Sequence, residues 1–236
     1  PGFENKGPSP SSTPIVGEKR KSRPRHFFLD QESTMPEKPV IDVMNDGPYI
    51  VRQLSHFTNS HNQPLETKPV TALCRCGHSK SKPYCDGTHG KIRFHSDKLP
   101  GATLQERHDF QGKEVTISDN EGVCAHAGFC DGRSPEVFWT FENGKRVPHP
   151  DKAAAEKIIS TIRLCPSGAL RYKIKQKIYD DFSRQPGIRV SKEGPYYVVG
   201  GVELRDEINS RPDSLEHYTL CRCGASKNKP FCDGSH

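Results

Sequence analysis

The chain has 236 residues, of which 32% are hydrophobic and 27% charged, and its formal net charge is +6. So low an apolar fraction argues against one large core and favours small modules that need a metal or cluster for stability. No stretch reaches the roughly 20 apolar residues of a membrane span, and no basic patch with interleaved aromatic residues indicates nucleic-acid binding. We therefore expect no membrane span and no nucleic-acid partner.

The nine cysteines are an odd number, and no secretory apolar segment accompanies them. Both observations argue against a disulfide framework and for an intracellular, reducing compartment, the cytoplasm or, in a eukaryote, the mitochondrial matrix. Residues 1–38 combine prolines and serines with a basic run and lack any apolar period. This composition predicts a disordered tail.

From residue 41 the chain contains a gapless internal repeat, residues 41–89 and 188–236. In the first copy, the apolar residues at 41, 43, 49 and 51 alternate with polar neighbours, and a turn sequence occupies residues 46–48. This pattern predicts two short strands joined by a turn. We expect such strands before the cysteine-rich loop of each copy.

Each copy ends in a loop that reads Cys-x-Cys-x2-Ser-x3-Pro-x-Cys-Asp-Gly-Ser/Thr-His. Four soft or borderline ligands so close together predict a metal ion or a cluster. Three thiolates and an imidazole would satisfy tetrahedral zinc, but zinc ligands are usually spaced Cys-x2-4-Cys, so spacing alone leaves zinc open. The candidate ligands are Cys74, Cys76, Cys85 and His89 in the first loop and Cys221, Cys223, Cys232 and His236 in the second.

This signature resembles that of the CDGSH iron-sulfur family, and every signature position matches in both loops. The resemblance implies one [2Fe-2S] cluster in each loop, with the first two cysteines on one iron and the third cysteine and the histidine on the other. Because single-motif members of that family dimerise, it also implies that the two modules pair within this chain, which would then be a monomer. We expect Asp86 and Asp233 to cap short helices that aim the histidines, without binding metal.

Between the copies lie the other three cysteines, Cys124, Cys130 and Cys165. A bacterial ferredoxin run is C-x2-C-x2-C-x3-C-P. Cys124 and Cys130 match the first and third cysteines of this run, and Ala127 occupies the position of the second. Cys165 with the following proline matches the remote cysteine. The stretch thus resembles a divergent single-cluster ferredoxin domain. Three thiolates favour a [3Fe-4S] cluster, unless His126 or a small external ligand completes a [4Fe-4S] cluster; the alternatives are buried core thiols and a solvent-facing histidine.

The same segment shows two further patterns. Apolar residues at 154, 155, 158, 159 and 162 predict a helix from about Asp151 to Leu164, which would deliver Cys165. Apolar residues at 172, 174 and 178 alternate with basic ones at 171, 173, 175 and 177, which predicts a strand. Its basic face would be solvated or would dock an acidic reductase.

These patterns predict an α+β protein made of two small β-rich CDGSH modules, each with a short cluster-binding helix, and an inserted ferredoxin-like α+β module. The predicted domains are a disordered tail (1–38), a first CDGSH domain (39–101), a ferredoxin-like domain (102–185) and a second CDGSH domain (186–236).

We expect an electron carrier and no enzyme, because no nucleophile accompanies an oriented base and no glycine-rich nucleotide loop is present. Two [2Fe-2S] clusters and one [3Fe-4S] or [4Fe-4S] cluster would transfer single electrons to or from a redox partner, a reductase or an acceptor. The alternatives are storage or transfer of clusters to an apo-acceptor, redox sensing, and a structural zinc-binding protein.

Overall fold

The structure is a computed structural model that describes residue 2 and residues 38–102 and 105–236. The predicted tail therefore lies almost wholly outside the described residues. From residue 38 onward, the described residues belong to one compact unit of short helices and small sheets, which confirms a mixed α+β fold. None of the described helices has the length and apolar character needed to cross a membrane.

The described strands form three four-stranded sheets and one hairpin. In spatial order, the first sheet contains β13 (Glu203–Asp206), β1 (Val40–Val43), β2 (Tyr49–Arg52) and β4 (Val70–Leu73). The second contains β14 (His217–Leu220), β12 (Tyr196–Val199), β11 (Gly187–Val190) and β3 (Phe57–Thr58). The third contains β10 (Lys177–Tyr179), β9 (Leu170–Ile174), β6 (Thr116–Asp119) and β5 (His108–Phe110), and the hairpin contains β7 (Phe141–Glu142) and β8 (Lys145–Arg146). The helices are α1 (Thr88–Lys91), α2 (Phe129–Arg133), α3 (Pro135–Phe138) and α4 (Ala155–Ile162).

The two copies of the repeat exchange strands. In the first sheet, β1 of the first copy pairs in parallel with β13 of the second, with Val40 opposite Glu203. In the second sheet, β11 of the second copy pairs in parallel with β3 of the first, with Ile188 opposite Phe57. Because β3 and β13 occupy equivalent places in the repeat, the exchange is reciprocal. The two copies thus form a pseudo-symmetric pair within one chain.

The paired copies share one apolar core. The predicted strands form on either side of residues 46–48, and their alternation places Ile41 and Val51 in that core, both 0% exposed. At its centre, Tyr49 of the first copy and Tyr196 of the second meet edge to face, with ring centroids 6.1 Å apart. A module of this size buries too little apolar surface to be stable alone, so the shared core stabilises both copies.

The third sheet and α4 enclose a second core that includes Cys165. Ile158 and Ile162 of α4 are fully buried, as the apolar period predicts. The helix is shorter than the predicted residues 151–164, because residues 150–152 form a 3-10 turn and residues 153 and 154 are extended. The Asp151 carboxylate accepts a hydrogen bond from the Lys113 N–H at 2.8 Å, which holds this turn against the β5–β6 connection.

The single strand predicted after Cys165 is instead a hairpin. β9 ends at Ile174, Lys175 adopts a left-handed backbone conformation with φ of 56°, and β10 returns antiparallel. Alternation continues through such a turn, so the sequence pattern alone does not reveal it.

Two of the four basic residues of this hairpin form ion pairs within the chain. Arg171 forms ion pairs with Asp180 and Asp213, at 3.3 and 3.1 Å. Lys173 forms an ion pair with Asp109 across the sheet. Half of the face that the sequence predicts to be solvated, or to dock a reductase, therefore has acidic partners, whereas Lys175 and Lys177 are exposed.

A charged cluster joins the middle module to the second copy of the repeat. Arg107 donates to the Ser118 and Ala169 carbonyls, at 2.8 and 2.9 Å, and forms an ion pair with Asp213. The Asn120 amide donates to the same carboxylate at 2.8 Å. Although burial opposes ionisation of Asp213, these hydrogen bonds and the arginine charge hold its pKa below the usual value. The middle module is thus anchored to one copy through a charged carboxylate.

Candidate metal centres

The first loop folds back on itself after β4. The Cys74 N–H donates to the Pro83 carbonyl at 2.8 Å, and the Cys85 N–H donates to the Ala72 carbonyl at 2.9 Å. The Cys74 and Cys76 sulfur atoms lie 3.9 Å apart. The fold-back therefore brings the cysteine pair at the start of the loop close to the cysteine near its end.

Helix α1 supplies the histidine of this loop. His89 Nδ1 lies 3.3 Å from Cys85 Sγ. The N-cap of α1 is Gly87, with φ of 83°, and not Asp86 as predicted. Positive φ at this position suits glycine, which has no Cβ to clash with the backbone.

Asp86, the residue before this N-cap, stabilises the loop by accepting two backbone hydrogen bonds. Its carboxylate accepts hydrogen bonds from the Thr88 N–H at 3.0 Å and the Lys80 N–H at 2.8 Å. Hydrogen bonds from Thr88 and Lys80 hold the pKa of Asp86 well below its usual value. The aspartate is thus tied to backbone donors of the loop.

The second loop repeats the fold-back. The Cys221 N–H donates to the Pro230 carbonyl at 2.9 Å, and the Cys232 N–H donates to the Thr219 carbonyl at 3.2 Å. The Cys221 and Cys223 sulfur atoms lie 3.6 Å apart. Asp233 likewise accepts backbone hydrogen bonds within the loop. The predicted second helix does not form in the described residues, since no helical turn is present over residues 232–236.

The donor pairs match the spacing that one tetrahedral metal requires. Two thiolates with bonds of about 2.3 Å to a tetrahedral centre lie about 3.8 Å apart, close to the 3.9 and 3.6 Å of the two Cys-x-Cys pairs. Within residues 38–102 and 105–236, no three His, Cys, Asp or Glu side chains converge on one point that could hold a metal ion. The two Cys-x-Cys spacings therefore suit a zinc ion and an iron of a cluster alike.

A buried tyrosine of each copy holds the loop of the other. The Tyr49 hydroxyl donates to the Cys221 carbonyl at 2.9 Å and to the Pro230 carbonyl at 3.0 Å. The Tyr196 hydroxyl donates to the corresponding carbonyls of the first loop, both at 2.9 Å. Burial raises the pKa of both tyrosines well above the usual value, so the hydroxyls remain donors. Sequence reasoning missed this role, although the tyrosines align in the repeat.

Two glycines bring the loops into direct contact. Gly77 and Gly224 occupy equivalent positions, with φ of 80° and 82°. A Cβ on Gly77 would lie 2.2 Å from the Cys223 carbonyl oxygen, and one on Gly224 would lie 2.5 Å from that of Cys76. No side chain fits at either position, so the two loops meet backbone to backbone.

The three cysteines of the middle module line one cavity. Cys124 precedes a short loop into α2, Cys130 lies on α2, and Cys165 follows α4. Burial raises the pKa of Cys124 to about 11 and that of Cys130 to about 12. Thiols in such a site release protons only when a metal replaces them. Three soft donors around one cavity fit a cluster with three thiolate ligands.

Arg146 places a positive charge at this cavity. It forms ion pairs with Asp119 at 2.7 Å and Glu121 at 3.3 Å. Burial opposes its charge, but the charges of Asp119 and other neighbouring acidic groups raise the pKa of Arg146 above the usual value. A fixed cation here would favour an anionic, thiolate-ligated cluster. No spacing signal in the sequence pointed to this residue.

The His126 side chain lies beside Gly234 of the second loop, although its backbone N–H donates to Cys124 Sγ at 3.4 Å. Its backbone adopts a φ of 49°, and a Cβ on Gly234 of the second loop would lie 2.1 Å from its Cδ2 atom. The cavity is lined by the neighbouring Ala125 and Ala127 but not by His126. This position does not favour His126 as a cluster ligand.

The first loop is covered by the chain that follows it. Phe94 is 8% exposed and packs against Cys74 and Cys76. Ser96 holds this cover in place: its N–H donates to the Asp46 carboxylate at 2.7 Å, and its hydroxyl accepts from the Asp46 N–H at 3.0 Å. The first Cys-x-Cys pair is thereby screened from solvent.

The second loop borders an open pocket. The pocket is lined by Cys221, Cys223, Cys232 and His236, and by Gly77 and Lys82 of the first loop. The His236 Nε2 atom lies 3.2 Å from the Ala125 carbonyl of the middle module. One side of the second site is therefore accessible, and another is in contact with the ferredoxin-like loop.

These loops and their order along the chain define a class of iron-binding proteins, and comparison with known families agrees. Residues 46–90 and 193–236 match the family model described as iron-binding zinc finger CDGSH type. Residues 110–175 match the model described as divergent 4Fe-4S mono-cluster. The chain belongs to the CDGSH iron-sulfur domain family, with a divergent single-cluster ferredoxin-like domain between its two CDGSH domains.

Two curated relatives share part of the chain. The uncharacterized protein YjdI of Escherichia coli strain K12 is 32% identical over 68 residues, which make up 28% of this chain and 84% of that protein. The protein of the same name from Escherichia coli O157:H7 gives the same values. No solved structure matches the chain.

Proposed function

We propose that this protein is a one-electron carrier with two [2Fe-2S] clusters and one [3Fe-4S] or [4Fe-4S] cluster. The observation that supports it most is the arrangement of donors in pairs, with sulfur atoms 3.9 and 3.6 Å apart. Each pair would hold one iron of a cluster through two thiolates, and the matched iron-binding CDGSH and 4Fe-4S family models favour iron over zinc. When bound, the clusters would supply reversible one-electron chemistry.

The proposed ligands of the first cluster are Cys74, Cys76, Cys85 and His89, and those of the second are Cys221, Cys223, Cys232 and His236. Cys124, Cys130 and Cys165 are the proposed ligands of the middle cluster. The chain's other residues position these groups: the two crossed tyrosines fix the loops, and Arg146 offsets negative charge at the middle cavity. We assign no catalytic group.

We further propose that the chain acts as a monomer with a protein redox partner in a reducing compartment. Exchange of strands between its own copies supports the monomer, because each copy already pairs with the other. The nine cysteines, all free thiols in the structure, suit a reducing compartment. The domain limits 39–101, 102–185 and 186–236 remain predictions, and limited proteolysis can test them.

Metal analysis and electron paramagnetic resonance test this function. We expect iron and acid-labile sulfide in the purified protein, with [2Fe-2S] signals after reduction. Serine at Cys124, Cys130 and Cys165 should remove one spectroscopic component and leave the [2Fe-2S] signals in place. Zinc without sulfide would overturn the proposal, and full iron retention in the triple variant would refute the middle site.

A second candidate function is donation of the second cluster to an apo-acceptor. The open pocket beside His236 supports it, since this proposed ligand is exposed and an acceptor could reach it there. Mixing the loaded protein with an apo-ferredoxin distinguishes the two functions. Transfer of one [2Fe-2S] cluster per chain, from the second loop, would favour donation, whereas retained clusters with rapid electron exchange would favour the carrier.

A further inference from the structure

The second CDGSH loop and the ferredoxin-like loop meet at two close contacts. The His236 Nε2 atom lies 3.2 Å from the Ala125 carbonyl oxygen. Ala125 is 1% exposed and directly follows Cys124, a proposed ligand of the middle cluster. Beside this contact, the His126 ring lies so close to Gly234 that a Cβ there would be 2.1 Å from its Cδ2 atom.

The contact between His236 and Ala125 connects two candidate metal sites. A metal-bound histidine usually donates its second ring N–H to a carboxylate or a backbone carbonyl. In the first loop the atom near the cysteine sulfur is Nδ1 of His89, which leaves Nε2 for such a bond. With His236 in the same tautomer, its Nε2–H donates to Ala125, one residue from Cys124.

Asn228 of the second loop also packs against the middle module, in addition to the His236 contact. Asn228 is 3% exposed, donates to the Gly122 carbonyl at 2.9 Å and accepts from the Gln105 amide at 2.8 Å. Its counterpart in the first loop is Ser81, which is exposed. The middle module thus fills the space beside the second loop and leaves the equivalent surface of the first loop open.

The first loop has no comparable connection. Within the part of the chain that the structure describes, no hydrogen bond or ion pair joins residues 74–89 to residues 107–185. Gly87, the counterpart of Gly234, has the same left-handed conformation, yet nothing lies within 4 Å of its Cβ position. The two CDGSH sites therefore differ in their relation to the middle site.

We propose that the second CDGSH cluster and the middle cluster form one coupled redox pair, linked through Cys124, Ala125 and His236, and that the first CDGSH cluster stands outside this pair. The inference rests on the proposed function. The step is the passage of one electron from the reduced cluster, which is oxidised by one electron, to its oxidised neighbour, which is reduced by one. No bond forms or breaks, and no proton or co-reactant is required.

Electron spin relaxation measured on the full loaded chain tests the coupling. Cys85→Ser and Cys232→Ser, each removing one CDGSH cluster, assign the two [2Fe-2S] signals after reduction with dithionite. Loss of the middle cluster in the Cys124→Ser, Cys130→Ser, Cys165→Ser variant should slow relaxation of the second signal severalfold and shift its reduction potential. The first signal should keep both values. An equal change in both signals, or no change in either, would overturn the proposal.

Two matched glycine variants test the contact itself. Gly234→Ala should force the His126 ring away and weaken the coupling, whereas Gly87→Ala carries the same backbone strain with no neighbour to displace. Adding His126→Gly to Gly234→Ala removes the clash and should restore coupling. Identical relaxation of the second signal in both single variants would contradict the inference. If Gly234→Ala fails to fold, the relaxation comparison above decides alone.

These outcomes separate the inference from the proposed function. A protein with zinc and no iron would overturn the electron carrier itself. A protein with all three clusters, but with equal spin relaxation at the two CDGSH sites, would leave the carrier intact and refute the coupled pair.

Discussion

The two CDGSH loops share one sequence motif but have different surroundings. The first is covered by its own downstream chain, with Phe94 against the cysteine pair, and its Ser81 corner is exposed. The second is packed against the ferredoxin-like module through Asn228 and borders an open pocket on another side. A short motif can therefore specify ligands, while the residues packed around it determine which neighbours each site has.

Alanine at Gly77 should have the largest effect on this comparison, because it affects both loops. Its Cβ would lie 2.2 Å from the Cys223 carbonyl oxygen, so the backbones must separate. We expect a loss of about 3 kcal/mol or more in the free energy of unfolding, and loss of both [2Fe-2S] signals. Chemical denaturation and electron paramagnetic resonance measure these effects.

Gly87→Ala is the matched control, since it has a similar φ, 83° against 80°, but no neighbour within 4 Å. It should lose only about 1 kcal/mol from backbone strain. Equal destabilisation in the two variants would show that the loops do not depend on their mutual contact.

Removal of Phe94 should distinguish the two sites. Phe94→Ala deletes a buried ring that covers Cys74 and Cys76, and should lower the free energy of unfolding by about 3 kcal/mol. The first cluster should then bleach faster in air or mild denaturant, while the second keeps its rate. Phe141→Ala, at an aromatic residue that is 52% exposed, is the control for a lost ring. Faster bleaching at both sites would mean that the cover is not local.

The tyrosine pair should give crossed effects. Tyr49→Phe leaves the Cys221 carbonyl without this buried donor and leaves the Pro230 carbonyl with only the Cys221 N–H. The change should cost about 2 kcal/mol. Because these carbonyls belong to the second loop, the second cluster should be lost first. Tyr196→Phe should instead weaken the first cluster. Loss in the same copy as the mutation would contradict the crossed arrangement.

The smallest predicted effect is a pH dependence at His217. Burial lowers the pKa of His217, and this outweighs the opposing effect of Glu216. A histidine with a lower pKa in the folded state binds fewer protons there, so stability falls as pH drops below the unfolded value of about 6.5. The equivalent position in the first copy is Val70, which does not titrate.

His217→Gln should therefore flatten the loss of stability between about pH 7 and pH 5 relative to the parent chain. Urea denaturation at several pH values, with loaded protein, measures the slope. Acid effects at the cluster ligands are the same in the parent chain and the variant, so they do not contribute to the difference between the two slopes. Parallel slopes would show that His217 does not control this part of the pH response.

Local sequence determined much of the candidate sites. Donor types and their spacing identified both loops and all three cysteines of the middle module, because ligands close in sequence are held close in space by short loops. Alternation of apolar residues likewise located the first strands of the repeat, as side chains in a strand alternate between faces. The sequence did not predict the turn between β9 and β10, because the alternation of apolar and basic residues continues through Lys175. It also placed the start of α4 too early, because the apolar period begins before the helix does.

Tertiary structure alone decided how the sites are connected. Reciprocal pairing of β1 with β13 and of β11 with β3, and the bond from Tyr49 to Cys221, join residues more than a hundred positions apart. No local sequence pattern indicates which of the two equivalent loops the middle module contacts. That choice depends on shape and hydrogen bonding at one surface, where Asn228 is buried and its counterpart Ser81 is not, because only a folded chain brings these surfaces together.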